Sequence, residues 1–192
     1  MVAKAKVKIM DAAQALIIQC GYHGTGTNAI IDKAKVSKGS FFYHFPDKLS
    51  LIREILERYV QESLFEPFEQ AVKSHSNPQD ALIAFIDHIE KWYTAEGFKG
   101  GCLLGNMALE LSDTQDEIRN LLTEKFAGWE KRIIDLLKGV SLSLPTHRFV
   151  ALYIASIEGV GMTNKVYKNQ AKSKEEWQAC RDLVNLAFLN NR

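Results

Sequence analysis

The side chains best suited to chemistry with another molecule lie in residues 21–48, GYHGTGTNAIIDKAKVSKGSFFYHFPDK. Lys38, Ser40, Tyr43 and His44 place a cation, a hydroxyl, a phenol and an imidazole within seven residues. Such groups hydrogen-bond phosphate oxygens and the edges of bases. They alternate with Phe41, Phe42 and Phe45, whose i, i+1, i+4 spacing predicts the buried face of a short helix, Lys38 to Phe45. Ser37 is a good N-cap for that helix, and Pro46 closes it. Gly39 leaves the backbone open to close approach by DNA. The polar tips then face a groove outside the protein; the plainer alternative is that Tyr43 and His44 only cover an aromatic mini-core.

A helix this short has no core of its own, so other elements must present it. One predicted helix runs from Thr27 to about Ala34, with Gly26 as N-cap and Ile30, Ile31 and Ala34 on one face. Val36 lies in the turn between the two. A longer amphipathic helix over residues 3–20 carries Ile9, Ala13, Leu16, Ile17 and Cys20 at helical spacing, and Gly21 stops it. This is the design of a helix-turn-helix reader, in which one short helix braces and the next enters the major groove. Charge agrees with it. The formal net charge is +1, yet residues 1–50 carry seven Lys against three Asp. Residues 51–192 carry seventeen Lys plus Arg against twenty Asp plus Glu. A basic excess confined to one end points to a polyanion partner there. Lys4, Lys6 and Lys8 are then either a solvated terminus or phosphate contacts.

Residues 9–48 resemble the DNA-binding domain of TetR-family transcriptional repressors. The most specific part is VSKGSFFYHFPDK, residues 36–48. It is similar to the family's valine–serine–lysine–glycine–threonine–leucine–tyrosine–histidine–tyrosine–phenylalanine signature. The resemblance implies an all-α homodimer. Residues 1–46 would form the three-helix DNA-binding domain and residues 47–192 a larger helical domain that binds an effector and dimerises. It places DNA contacts on Thr27 and Asn28 in the bracing helix, and on Lys38, Ser40, Tyr43, His44 and Lys48 in and after the recognition helix. Phe42 departs from it, standing where the family usually has a tyrosine whose hydroxyl reaches a phosphate.

Behind this region the sequence predicts only helices. A long one runs from Asp47 through the sixties, kinked at Pro67. Asn77–Pro78 opens the next, which buries Leu82, Phe85, Ile86, Ile89 and Trp92 or Tyr93. A glycine-rich break, Gly97 to Gly101, precedes the segment CLLGNMALEL, and residues 115–138 form a further helix. Pro145 opens the penultimate helix, and Ser173 with Glu176 predicts a capping box for the last. These final two helices are apolar enough either to complete the core or to form the family's four-helix dimer interface.

Cys102 begins a helix after Gly100–Gly101, where the positive end of the helix dipole and nearby Lys99 would favour a thiolate. GGCLLGNMALEL resembles a TetR branch containing repressors responsive to electrophiles such as N-ethylmaleimide, in which the matching cysteine is the sensor. Cys102 is thus either an electrophile or oxidant sensor or a small residue packing the helix start. Cys20 and Cys180 read as core or interface residues.

Other classes fit less well. The three cysteines form no CxxC pair, and the five histidines are scattered. No metal site, cofactor, phosphate loop or nucleophile–base pair is expected, so the chain is not read as an enzyme. No apolar run is long enough to span a membrane, and the N-terminus lacks a secretory core, which predicts a cytoplasmic protein. A helical adaptor that binds other proteins without DNA is the alternative, but it has no need of the charge asymmetry. The expected partners are double-stranded operator DNA, a second copy of the chain through its two C-terminal helices, and a small hydrophobic or electrophilic effector.

Overall fold

The computed structural model describes residues 2–189. Among the described residues there are helices and connecting turns and no strand. The helices are α1 (Val2–Cys20), α2 (Thr27–Ala34), α3 (Lys38–His44), α4 (Lys48–Val60), α5 (Glu66–Ser74), α6 (Pro78–Ala95), α7 (Leu103–Leu111), α8 (Asp116–Leu136), α9 (Thr146–Tyr167) and α10 (Gln170–Ala187). They divide into two compact units that are not contiguous in sequence. One runs to Val60 and takes in Leu103–Leu122; the other comprises Gln61–Cys102 and the chain from Thr123 onward.

In the first unit α1 packs on α2, α3 and α4, and α7 packs on α4. Ile9, Ala13 and Ile17 of α1, Ile30 of α2, Phe41 and Phe45, and Leu51, Ile52 and Ile55 of α4 are all closed to solvent. Gly21 ends α1 with φ 79°, its N–H donating to the Ile17 carbonyl at 2.8 Å. That left-handed turn suits glycine, and a Cβ would also come within 3.0 Å of the Glu110 carboxylate. Lys35 caps α2 with φ 54°, a conformation costing a non-glycine residue roughly 1–2 kcal/mol. Cys20 is exposed rather than buried: in the last turn of α1 the inward stripe is already completed by Ile17.

The second unit pairs α5 with α6, and α10 with both α6 and α9. Phe68, Phe85 and Trp129 form a chain of edge-on ring contacts, 5.4 and 6.1 Å between centroids. Tyr93, not Trp92, is the buried member of its pair. The buried Tyr153 hydroxyl donates to the Leu82 carbonyl at 2.8 Å, satisfying a polar group that would otherwise be costly inside. Arg181 of α10 bridges Asp87 and Glu90 of α6.

Two expectations are corrected. The irregularity near Pro67 sits upstream of it, as a π-helical turn over Gln61–Phe65, and Pro67 itself lies in the first turn of α5. Proline offers no N–H to the carbonyl four residues earlier and its ring crowds it, so the turn widens ahead of the ring. The Ser173–Glu176 capping box does not form. Asn169 caps α10 four residues earlier, its side chain accepting from Lys172 N–H at 3.0 Å. Ser173 is consequently buried within the first turns, and Glu176 accepts from the Thr163 hydroxyl at 2.7 Å.

Candidate nucleic-acid interface

α3 has seven residues, fewer than an isolated helix needs to persist in water. Two devices hold it. The Ser37 hydroxyl accepts from Ser40 N–H at 3.1 Å, a cap contributing about 1 kcal/mol. Phe41 and Phe45 are fully buried, and truncating either to alanine would cost about 3–5 kcal/mol. Phe42 is not a third anchor: 42% of it is exposed, though its ring packs edge-on against Phe41 at 5.1 Å. One residue is 100° of helix rotation, so Phe42 leaves the narrow stripe shared by positions 41 and 45.

On the open side of α3, Tyr43 is 75% exposed and its ring meets His44 edge-on at 5.1 Å. Lys38 and Gly39 are exposed; Ser40 and His44 are half-buried. A Cβ on Gly39 would find only Ser37 Oγ, at 4.0 Å, so nothing inside the protein requires glycine there. Thr27 and Asn28 open α2, half-buried and exposed respectively. Six of the seven residues singled out for DNA are thus on the short helices α2 and α3.

Lys48, the seventh, opens α4, and its ammonium is turned into the protein. It donates to the carbonyls of Tyr22 at 2.8 Å and Thr25 at 2.9 Å and lies 4.0 Å from the centre of the Tyr22 ring. Burial lowers its pKa, with the Glu110 carboxylate acting against that. Of its three N–H donors, one is left for an outside acceptor. The α1–α2 turn is held from another side by α7. His23 N–H donates to the Glu110 carboxylate at 3.2 Å, and a His23 ring nitrogen lies 3.3 Å from the Glu110 carbonyl. His23 and Glu110 carry no sequence signal for this pairing, because 87 residues separate them.

Cys102 immediately precedes α7 and is half-buried, in no disulfide. Its backbone hydrogen-bonds the Tyr93 hydroxyl and its side chain the Glu158 carboxyl. Burial raises the Glu158 pKa, and the Cys102 hydrogen bond partly offsets this. Burial likewise holds the Tyr93 phenol well above its ordinary range. A Cβ on Gly161 would overlap the Tyr93 hydroxyl, so α9 approaches α6 there only because position 161 is glycine. Lys99, expected to assist the thiol, is exposed. Nearby in sequence on α9 and α10, Glu158 Oε1, Asn164 Oδ1, Ser173 Oγ and Trp177 Nε1 are buried without hydrogen-bond partners within the protein.

Two family models match the chain. Residues 9–55 match the bacterial regulatory proteins of the tetR family, and residues 78–180 the tetracyclin repressor-like C-terminal domain. The chain belongs to the TetR family. It is a DNA-binding transcriptional regulator. A helix-turn-helix regulator from the lacX 3′ region of Lactococcus lactis subsp. lactis is 28% identical over 163 residues, 84% of this chain and 83% of that one. The repressor DhaR of Mycobacterium sp. (strain GP1) is 26% identical over 171 residues, with 84% and 83% covered. The reduced form of E. coli NemR shares the fold, with a TM-score of 0.80 at 20% identity over 95% of this chain and 96% of that one. No helix among the described residues is long and apolar enough to cross a membrane, and none of their His, Cys, Asp and Glu side chains cluster as metal ligands do.

Proposed function

We propose that this TetR-family regulator is a cytoplasmic, homodimeric repressor, released from its operator by a small effector or by modification of Cys102. Residues 1–46 read DNA, with Thr27, Asn28, Lys38, Ser40, Tyr43, His44 and the remaining N–H of Lys48 as the contacts. Residues 47–192 sense and dimerise. The observation that carries the switch is the placement of α7. Its first residue follows Cys102, and its last turn holds the α1–α2 turn through Glu110 and His23. A change at Cys102 therefore has a nine-residue helix through which to act on the domain that carries α3.

Dimerisation is supported by α9. Leu152 (49% exposed), Met162 (61%) and Val166 (71%) stand out from the core, and Gly159 has open space above it. Positions 152, 155, 159, 162 and 166 repeat at three and four, the spacing of a helix-packing stripe. Two copies supply the two recognition helices that half-sites about 34–36 Å apart require.

With N-ethylmaleimide, the Cys102 sulfur adds to a ring carbon and the thiol proton ends on the neighbouring carbon. The test is operator affinity before and after alkylation, in the wild type and in Cys102→Ser. The expected result is loss of binding in the wild type alone; equal loss in both proteins excludes the sensor role. Affinity that falls steeply with salt and exceeds that for random duplex is expected of the unmodified protein.

A further inference from the structure

The recognition helix does not use most of the basic excess of the first fifty residues. Lys6 is ion-paired with Glu54 at 2.6 Å, and Lys48 is folded into the α1–α2 turn. Lys8 of α1 and Lys33 and Lys35 at the end of α2 instead line one shallow cavity of about 430 Å³, together with Ala12, Ala34 and Asp11. The Asp11 carboxylate is taken by Arg58 at 2.8 Å. Among the described residues none of the three lysines is ion-paired. Three like charges around one concavity repel each other until an anion enters. Lys35 also holds the left-handed cap position where glycine or asparagine is the unstrained choice. A strained residue kept at a binding surface is a pointer to use.

The cavity adjoins the start of the reading helix in sequence, and α1, which supplies Lys8, packs on α3. Lys35 is two residues ahead of Ser37, the cap of α3. On α1, Lys6 lies over the ring of Phe45, where α3 ends, at 5.7 Å. We propose that Lys8, Lys33 and Lys35 form a second phosphate site, which seats a backbone phosphate of the operator beside the base pairs that α3 reads. Its ligand is a phosphodiester: the small alanine side chains leave room for the group, and the ammoniums supply donors to its free oxygens. Duplex DNA lying against α3 offers one such charge per about 1.7 Å of axis, so a phosphate is always within reach of a flanking cation. The site rests on the DNA-binding reading of the family and occurs twice in a dimer. It positions the protein without reading sequence.

The test compares the full-length wild type with the combined variant Lys8→Gln, Lys33→Gln, Lys35→Gly, on operator and on random duplex of equal length, across a salt series. All three side chains are on the surface, and Lys35→Gly removes a strained cap, so a melting temperature no lower than that of the wild type is the folding control. The expected result is a plot of log affinity against log salt that is shallower by about 0.9 per phosphate lost, about 1.8 for a dimer. Affinity at low salt should fall by roughly tenfold or more on both duplexes, leaving their ratio unchanged. An unchanged slope overturns the proposal, as does a loss confined to the operator, which would mean base reading. Titrating the free protein with inorganic phosphate, followed through the lysine side-chain NMR signals, separates the other source. Binding of free phosphate at these lysines with an unchanged DNA slope also overturns it. If the wild type itself binds duplex without salt dependence, the regulator reading has failed rather than this site.

Discussion

Tyr43 and Phe41 lie two residues apart on α3 and face opposite fates. Phe41 is wholly buried and Tyr43 three-quarters exposed, so they separate binding from folding. Tyr43→Ala should weaken operator binding by about ten- to a hundredfold, the range for loss of one good contact. Its melting temperature should stay within a degree or two of the wild type; unfolding of α1–α3 would place Tyr43 in the core. Glu158 gives a pH prediction. Its folded-state pKa is raised by burial, so the folded protein binds that proton more tightly than the unfolded chain does. The associated stability is complete below the ordinary carboxylate pKa and is lost as pH rises through the raised folded value. Unfolding in urea across that window should show wild-type stability declining relative to Glu158→Gln; parallel profiles would mean that Glu158 titrates normally. Residue types and spacing made Phe41, Phe45 and the open face of α3 legible in the sequence. Phe42 was misread because an i, i+1 pair looks apolar in a list but spans too wide an arc for a three-helix core. Lys48 could be seen as basic, but its partners are carbonyls 23 and 26 residues away, and backbone acceptors leave no mark in a sequence.

At the scale of elements, periodicity and caps located the helices well. Asn77–Pro78 capped α6 as read, its side chain accepting from Gln79 N–H at 2.9 Å. The start of α10 and the turn at Gln61–Phe65 were hidden for different reasons. Two residues competed to cap α10, and the nearer to the left-handed Lys168 won. The π turn keeps the same apolar residues as an α turn and alters only the register between them. α7 is where an element-level prediction belongs. Glu110→Ala removes the acceptor of His23 N–H and the carboxylate beside Gly21. Amide exchange should then quicken at residues 21–25 while α3 keeps its protection, and operator affinity should drop several-fold. Unaltered exchange there would show that α7 does not hold that turn.

For the whole molecule, the two compact units exchange the chain three times, after Val60, after Cys102 and after Leu122. A fragment ending at residue 46 would lack α4 and α7, and with them Leu51, Ile52 and Ile55 of the first unit's core. The open stripe on α9 carries the assembly prediction. Met162→Glu should leave the melting of the protomer nearly unchanged, give a monomer in sedimentation, and lose operator binding by far more than one contact is worth. A dimeric Met162→Glu protein would remove that stripe from the interface. The close approach at Gly161 bears on genetics. Any amino-acid substitution there adds a side chain that collides with the Tyr93 hydroxyl, the group hydrogen-bonded to the backbone of Cys102. A selection for regulators deaf to their inducer, or permanently off their promoter, should therefore return alleles at codon 161, far along the gene from any base-contacting residue.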